Sequence, residues 1–441
     1  MRAAFYTLGC KLNQCESEAL ASAFGSWGFS IVAPSDEADL YIVNTCTVTS
    51  KSEQKARRMI RRFSRENPSA TVIVTGCYAQ MEPQAFETLG PHVRVVSGDE
   101  KARLLDLPLH LDPSCCTSAT VTEGLRAVLA TGVPQPEERF GFDARSFSSH
   151  SRAFLKIQDG CDNHCTYCRV TLARGASVSL EAEELIERAR RLESEGFDEI
   201  ILTGINLSLY HSGIAGLAEL TERLTAATSR VRFRLSSLEP DYLTPERVAL
   251  LAHPRICPHF HLPVQSGDAA ILRRMGRSYR PHQVLEGVRL LREGRRNPFI
   301  AADIIVGFPG EDEAAFEETV KLVTAIRPAG LHIFPYSQRP GTAAADFGDQ
   351  VPQRISGERA GRLRALAANF YQDYISQWDG RDEELLIEAP PTGGCSGHGL
   401  TGNYLQAELV ATSETPVQKG RRYPVRLTVE VDGLEARLLV N

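Results

Sequence analysis

Over the first hundred positions, short β-branched and aromatic runs alternate with longer amphipathic stretches. Residues 2–7 (RAAFYT), 39–44 (DLYIVN) and 71–75 (TVIVT) read as strands, and 16–27 and 50–66 as helices, the second ending before Pro68. Such alternation predicts an open parallel sheet with crossover helices. From about 101 to 150 the periodicity weakens and Pro, Ser and Gly accumulate, as expected of an interdomain linker. The alternation then resumes, with strands expected at 153–157, 199–203, 231–235, 259–264, 300–306 and 331–334. Helices separate them, such as 181–195 with Ala182, Ile186 and Ala189 on one face and Gly196 as its C-cap. Six βα units predict a partial (β/α)6 barrel with its site at the carboxyl ends of the strands. After Trp378 the pattern shortens to strand-length runs at 383–388, 404–411, 423–431 and 434–440, with Asp432-Gly433 as a hairpin turn. A small antiparallel β-barrel fits these runs. The expected class is α/β multidomain, divided as 1–105, a linker at 106–150, a barrel at 151–377 and a β-barrel at 378–441.

Composition narrows the class. With 42% hydrophobic and 24% charged residues, the 441-residue chain is not disordered as a whole. No apolar run approaches the roughly 18 residues of a membrane helix. The opening MRAAFYTLGC has neither the charged nor the apolar region of a secretory signal, so a soluble, cytoplasmic protein is expected. Net charge −6 argues against a chain coated in nucleic acid and leaves room for local basic patches. Eleven cysteines in a reducing compartment point to metal ligands, nucleophiles or small buried hydrophobes rather than disulfides.

The sharpest chemistry is Cys161-x3-Cys165-x2-Cys168, in a loop directly after a strand. Three clustered thiolates can hold three irons of a [4Fe–4S] cluster and leave the fourth open to a ligand. A zinc site completed by His164 is the alternative. Cys10, Cys46 and Cys77 each follow a predicted parallel strand, a position that converges at the carboxyl edge of an open sheet. One such cysteine could be packing; three in the same topological position predict a second metal cluster.

The segment CDNHCTYC resembles the cluster loop of the radical S-adenosylmethionine (SAM) superfamily, with Tyr167 as the aromatic residue before the last cysteine. The resemblance implies that the open iron chelates SAM, which is cleaved reductively to a 5′-deoxyadenosyl radical. The blocks TLGCKLNQCESE, NTCTVT, TGCYAQ, RLSSLEP, HLPVQSGD, DIIVGFPGE and PYSQRPGT resemble, in order, those of the methylthiotransferases. LTGNYLQAEL is similar to the TRAM domain, a small RNA-binding β-barrel. This family resemblance implies two [4Fe–4S] clusters, at Cys161, Cys165 and Cys168 and at Cys10, Cys46 and Cys77, the second handling sulfur. It also implies SAM as methyl donor and radical source, an external electron donor and a sulfur source. TLGCKLNQ and HIFPYSQRPGT resemble the branch acting on threonylcarbamoyladenosine in the tRNA anticodon loop, where other branches read YGCQMN or LGCPKN. The implied reaction is methylthio insertion at carbon 2 of that nucleoside. Isopentenyladenosine in tRNA and a ribosomal-protein aspartate are the alternative substrates, and a non-enzymatic metal-bearing tRNA-binding protein is the alternative of a different class.

Candidate SAM contacts are Tyr167 in the cluster motif, Gly204 after the second barrel strand, Ser237 and Glu239 after the third, and Gln265 and Asp303 at later strand ends. Phosphate-binding candidates are the stretch Lys51, Lys55, Arg57, Arg58, Arg61, Arg62 and Arg65, the stretch Arg273, Arg274, Arg277 and Arg280, and Lys419, Arg421 and Arg422. A solvated helix face is the competing reading of the first. RVTLARGASVSL keeps Arg174 and Gly175 of the family's IIPYARGRSRSR, but Ala176, Val178 and Leu180 replace later arginines, which weakens an RNA contact there. Cys15 reads as a helix-face hydrophobe, Cys257 and Cys395 as packing or surface thiols, and the adjacent Cys115 and Cys116 as non-functional. His259, His261 and His332 are expected to line the core or cavity. Gly307-Phe308-Pro309-Gly310 lacks the Lys-Ser/Thr of a phosphate loop.

Overall fold

The computed structural model describes residues 1–114, 117–132, 134–144, 150–392, 395–410, 416–431 and 433–439. Cys115, Cys116 and Asp432 lie outside the described residues. In the N-terminal part, β1 (Arg2–Thr7), β2 (Ser30–Val32), β3 (Leu40–Thr45), β4 (Thr71–Gly76) and β5 (Val93–Val95) form a parallel sheet in the order β2-β1-β3-β4-β5. β3 and β4 are buried along their whole length, as apolar strands covered on both faces must be. The crossovers include α1 (Lys11–Ser26), α2 (Ser50–Glu66) and the short α3 (Cys77–Met81). α1 begins earlier than the 16–27 expected, because its first turns bury polar side chains, Asn13 and Glu16 among them, which break the apolar period.

Residues 101–150 carry more structure than a linker composition suggests. They hold α4 (Ser118–Leu129), whose Val121, Leu125 and Val128 join Leu104, Leu107 and Leu111 in the main hydrophobic core.

The barrel strands are β6 (Ala153–Lys156), β9 (Glu199–Thr203), β12 (Arg232–Leu235), β13 (His259–Gln265), β14 (Phe299–Val306) and β15 (Gly330–Pro335), at all six expected places. Two parallel sheets, β6-β9-β12 and β13-β14-β15, are joined by the parallel bridges Phe233–Ile256 and Ser237–His261. A pair of two-residue strands, β7 (Gln158–Asp159) and β8 (Val178–Ser179), braces the cluster loop, and another, β10 (His211–Ser212) with β11 (Ala215–Gly216), lies further on. Between β7 and β8 runs α5 (Val170–Arg174); α6 (Ala182–Ser194) follows, with Ala182 and Ala189 buried as expected. In the C-terminal part, β16 (Asp382–Ala389), β17 (Gly397–Thr401), β18 (Gln406–Leu409), β19 (Arg422–Glu430) and β20 (Gly433–Leu438) close into a barrel in the order β16-β17-β18-β20-β19. The chain is therefore mixed α/β with the three architectures the pattern predicts, except that the C-terminal barrel is not wholly antiparallel: β18 and β20 pair parallel, which is what closes it. Among the described residues, no helix is long and apolar enough to cross a membrane.

The C-terminal barrel plugs the floor of the larger one. Phe299 and Ala301 of β14 share a core with Leu385, Leu405 and Val425, and Arg234 of β12 donates to the carbonyls of Thr401 and Gly402 at 3.1 and 3.0 Å.

Candidate active site

Neighbouring strands β1, β3 and β4 run in register, with Thr7 opposite Asn44 and Asn44 opposite Thr75, so the residues after them emerge together. Those residues include Cys10, the N-cap of α1, Cys46 and Cys77, the first residue of α3. Asn13 Nδ2 donates to Leu8 O at 2.8 Å and to Thr45 O at 3.1 Å, and Asn44 Nδ2 donates to Asn13 O at 3.1 Å. These bonds fix the edge. Gly9, at φ 101°, passes so close to Cys46 that a Cβ would stand 2.7 Å from the Cys46 Cβ. Burial pushes the Cys46 thiol up to about 12, against the pull of the Val48 N–H and Arg174.

The second triad sits in the loop after β7. Backbone N–H groups of Asn163 and Val170 point at Cys161 and Cys168 Sγ, each at 3.4 Å, and Arg277 Nη1 points at Cys165 Sγ at 3.2 Å. Thr166 ties the loop to the chain before Arg277, through Met275 O at 3.0 Å and Arg274 O at 2.9 Å. The Tyr167 ring packs edge-on to Phe308, centroids 6.3 Å apart. Donors aimed at sulfur suit deprotonated, metal-bound thiolates, whose negative charge they offset. Among the described residues, the trio of ligand-type atoms mutually within 4.8 Å is His261, Asp303 and His332.

One short helix joins the two triads. At the start of α5, Arg169 follows Cys168 and its Nη1 donates to Thr47 Oγ1, next to Cys46, at 3.1 Å and pairs with Glu82 at 2.9 Å. At its end, Arg174 Nε donates to Cys77 Sγ at 3.3 Å, while its Nη atoms reach Glu16, Asp159 and Asn13 at 2.7–3.1 Å. Glu16 also takes Lys156 at 3.1 Å and Lys101. Burial alone would raise these carboxylates; Arg174 and the lysines outweigh it, holding Asp159 at about 2 and Glu16 well below the usual range.

The barrel mouth lies beside the second triad. Glu239 accepts from Asn163 of the cluster loop at 3.2 Å and pairs with Arg277, and burial pushes its carboxyl up to about 7 against that arginine. Deeper in, Ser237 Oγ bonds His261 Nδ1 at 2.7 Å, His261 Nε2 bonds Asp303 Oδ1 at 2.8 Å, and His332 Nδ1 bonds the same oxygen at 2.9 Å. Burial would raise Asp303, but the two imidazoles hold it below the carboxylate range, and its hydrogen bond raises His332.

The structure therefore gathers Ser237 and Asp303 into one chain and sets Glu239 against the cluster loop. Gly204 backs onto Gln158, where a Cβ would lie 2.8 Å from Oε1. Gln265 stands at φ 64°, where the β13–β14 register shifts. The histidines face the cavity or its floor, as expected. Arg277, read as a phosphate-binding candidate, has another task, buried against Cys165, and the retained family residue Arg174 is the strut to Cys77. Arg421 pairs with Asp198 and Arg422 donates to Arg230 O at 2.9 Å, docking the C-terminal barrel, while Arg422 also pairs with Glu384 of its own barrel. Sequence reasoning missed Arg169, Glu16 and Gln158. Gln158 accepts from Ile205 and Asn206 N–H, both at 2.9 Å, and donates to Gly160 O at 2.7 Å. Cys15 and Cys257 are buried packing residues, and Cys395 is exposed.

Two family models match the chain: "Uncharacterized protein family UPF0004" over residues 2–98 and "Radical SAM superfamily" over 155–323. The threonylcarbamoyladenosine tRNA methylthiotransferase MtaB of Treponema pallidum is 38% identical, covering 96% of this chain and 97% of its own length. The chain belongs to the radical SAM methylthiotransferase family. It is a transferase. The MtaB protein of Bacillus subtilis is 36% identical over 87% of this chain and 84% of its own. The tRNA-2-methylthio-N(6)-dimethylallyladenosine synthase of Geobacter metallireducens is 32% identical over 96% and 94%. Among solved structures, the radical SAM methyltransferase TsrM of Kitasatospora setae aligns with TM-score 0.56 at 16% identity, covering 78% of this chain and 77% of that one. That likeness is one of fold. The TGCYAQ and CDNHCTYC blocks of this methylthiotransferase are the two ends of the α5 bridge.

Proposed function

We propose that this methylthiotransferase inserts a methylthio group at carbon 2 of N6-threonylcarbamoyladenosine, next to the tRNA anticodon. The observation that carries the reading is the pairing of two cysteine triads through α5, with Arg169 and Arg174 reaching from one to the other. Cys161, Cys165 and Cys168 would hold one [4Fe–4S] cluster with an open iron for SAM, and Cys10, Cys46 and Cys77 a second. Bound there, the first supplies the electron that cleaves SAM and the second handles sulfur. The target C–H bond is too strong for acid–base chemistry, which is why radical chemistry is needed. The chain's own part is to hold both triads at one cavity, to neutralise sulfur charge with Arg277 and Arg174, and to offer polar groups for SAM. Those groups are Glu239, Ser237 and Asp303 at the mouth and wall, with Tyr167, Gly204 and Gln265 shaping the loops around them. The names of the relatives support threonylcarbamoyl over isopentenyl as the substituent.

In this reading residues 1–105 carry the sulfur-handling triad, 106–150 connect it, 151–377 form the radical SAM barrel and 378–441 a TRAM-like RNA-binding barrel. Transfer RNA, an external electron donor and a sulfur source are the partners the reaction needs, which accords with a cytoplasmic protein. Mass spectrometry of nucleosides from total tRNA, with and without the gene, tests it. Loss of the methylthio form of threonylcarbamoyladenosine, with its precursor accumulating, is expected. If only the isopentenyl derivative loses its methylthio group, the substrate assignment fails while the enzyme class stands; no change in either nucleoside contradicts a tRNA substrate.

A further inference from the structure

Lys11 directly follows Cys10, at the first position of α1, and its side chain runs from the edge of the N-terminal triad to the floor of the barrel. Its Nζ lies 5.6 Å from the ring centroid of Tyr404, the ring that Arg234 meets at 5.1 Å and His259 at 4.3 Å. Positive charge exceeds negative at this depth. Both oxygens of Glu199 are taken by Arg234, at 2.6 and 3.0 Å, with Arg232 and Arg152 at 3.5 and 3.7 Å. Higher up, Asp303 is held by His261 and His332. Lys11 forms no salt bridge with any carboxylate among the described residues, and the buried His259 beside it has no partner for Nδ1. Lys11 is half-buried and its Nζ has no fixed carboxylate partner, so it is open to an anion presented from the lumen.

We propose that Lys11 determines substrate specificity by receiving a carboxylate on the N6 substituent of the modified adenosine. The inference rests on the function proposed above and deepens it. A threonylcarbamoyl group ends in a carboxylate; an isopentenyl group is a neutral hydrocarbon that would shield the half-buried ammonium from water without pairing it. Rejection by an unsatisfied buried group is a strong form of discrimination. The carboxylate reaches Lys11 while carbon 2 stays near the triad, because both sites are anchored at adjacent residues, Cys10 and Lys11. The His259 Nδ1 supplies a second polar contact.

The test uses the reconstituted full-length enzyme, an isopentenyladenosine stem-loop as a control, and two synthetic anticodon stem-loop RNAs. One carries threonylcarbamoyladenosine, and the other carries the same group with its carboxylate converted to the primary amide. Wild-type kcat/KM is expected to favour the carboxylate RNA by about 100-fold, Lys11→Met to reduce that ratio to within about threefold of one, and Lys11→Arg to restore most of it. A Lys11→Met enzyme that keeps the ratio overturns the proposal. So does a wild-type enzyme that treats both RNAs alike, a result that needs no variant and stands even if Lys11→Met does not fold. A wild-type enzyme that thiolates isopentenyladenosine RNA and neither of these shows instead that the substrate reading itself is wrong.

Discussion

A thiolate triad accumulates negative charge, and the residues that offset it decide whether a cluster stays. Arg277 beside Cys165 and Arg174 beside Cys77 do this, one at each triad. Cys46→Ala and Cys168→Ala are each expected to lower bound iron from about eight to about four atoms per chain, measured after anaerobic reconstitution. Loss of all iron from either single substitution, or tightly bound zinc in the wild type, would contradict two separate clusters. Arg174→Met removes the cation shared by Glu16 and Asp159 and is expected to cost about 3–5 kcal/mol in denaturant unfolding, because two buried carboxylates lose a partner. The same variant should shed iron from the N-terminal triad first. The placement of the six cysteines, three after sheet strands and three in the loop after β7, was legible in the sequence. Arg169, Arg174 and Arg277 were not, since a buried, paired arginine and a solvated one are the same letter.

At the scale of elements, strands were legible wherever apolar residues dominate both faces, and all six barrel strands fall where the pattern places them. The misses have physical causes. The first turns of α1 hide because Asn13 and Glu16 face inward to hold the edge of the sheet and the α5 bridge. β17 hides because Gly397 and Gly399 lower its strand signal; a Cβ on Gly399 would lie 2.7 Å from Leu385 Cγ, so only glycine permits that crossing. Packing of β9 and β12 on the C-terminal barrel depends on Glu199. Burial would raise its carboxyl, but Arg234, Arg232 and Arg152 hold it at about 2. Its contribution is therefore complete above its unfolded pKa of about 4.5 and is lost as pH falls toward about 2. Glu199→Gln should lower stability by about 3–5 kcal/mol at pH 7, with the gap to wild type narrowing as pH falls below 4.5. A gap independent of pH would contradict this.

The whole molecule is acidic, with net charge −6, yet α2 exposes Lys51, Lys55, Arg58, Arg61, Arg62 and Arg65 along one stretch. Arg57 leaves that row to bond Tyr78, and Arg421 and Arg422 are engaged with the larger barrel, while the rest of α2 offers an exposed cationic row to phosphates. Replacing Arg58 and Arg61 by Glu should weaken tRNA binding and flatten its salt dependence, by about one in log–log slope for each phosphate no longer neutralised. An unchanged slope would make α2 a solvated face only. What no single region shows is the cooperation of the two triads. The decisive measurement is anaerobic incubation of reductant, SAM and threonylcarbamoyladenosine RNA with wild-type enzyme and with a variant in which Cys10, Cys46 and Cys77 are all alanine. Both 5′-deoxyadenosine and the methylthio nucleoside are expected from the wild type, and 5′-deoxyadenosine without any methylthio product from the variant. Methylthio product from the variant, or no SAM cleavage by the wild type, would contradict the division of labour between the two sites.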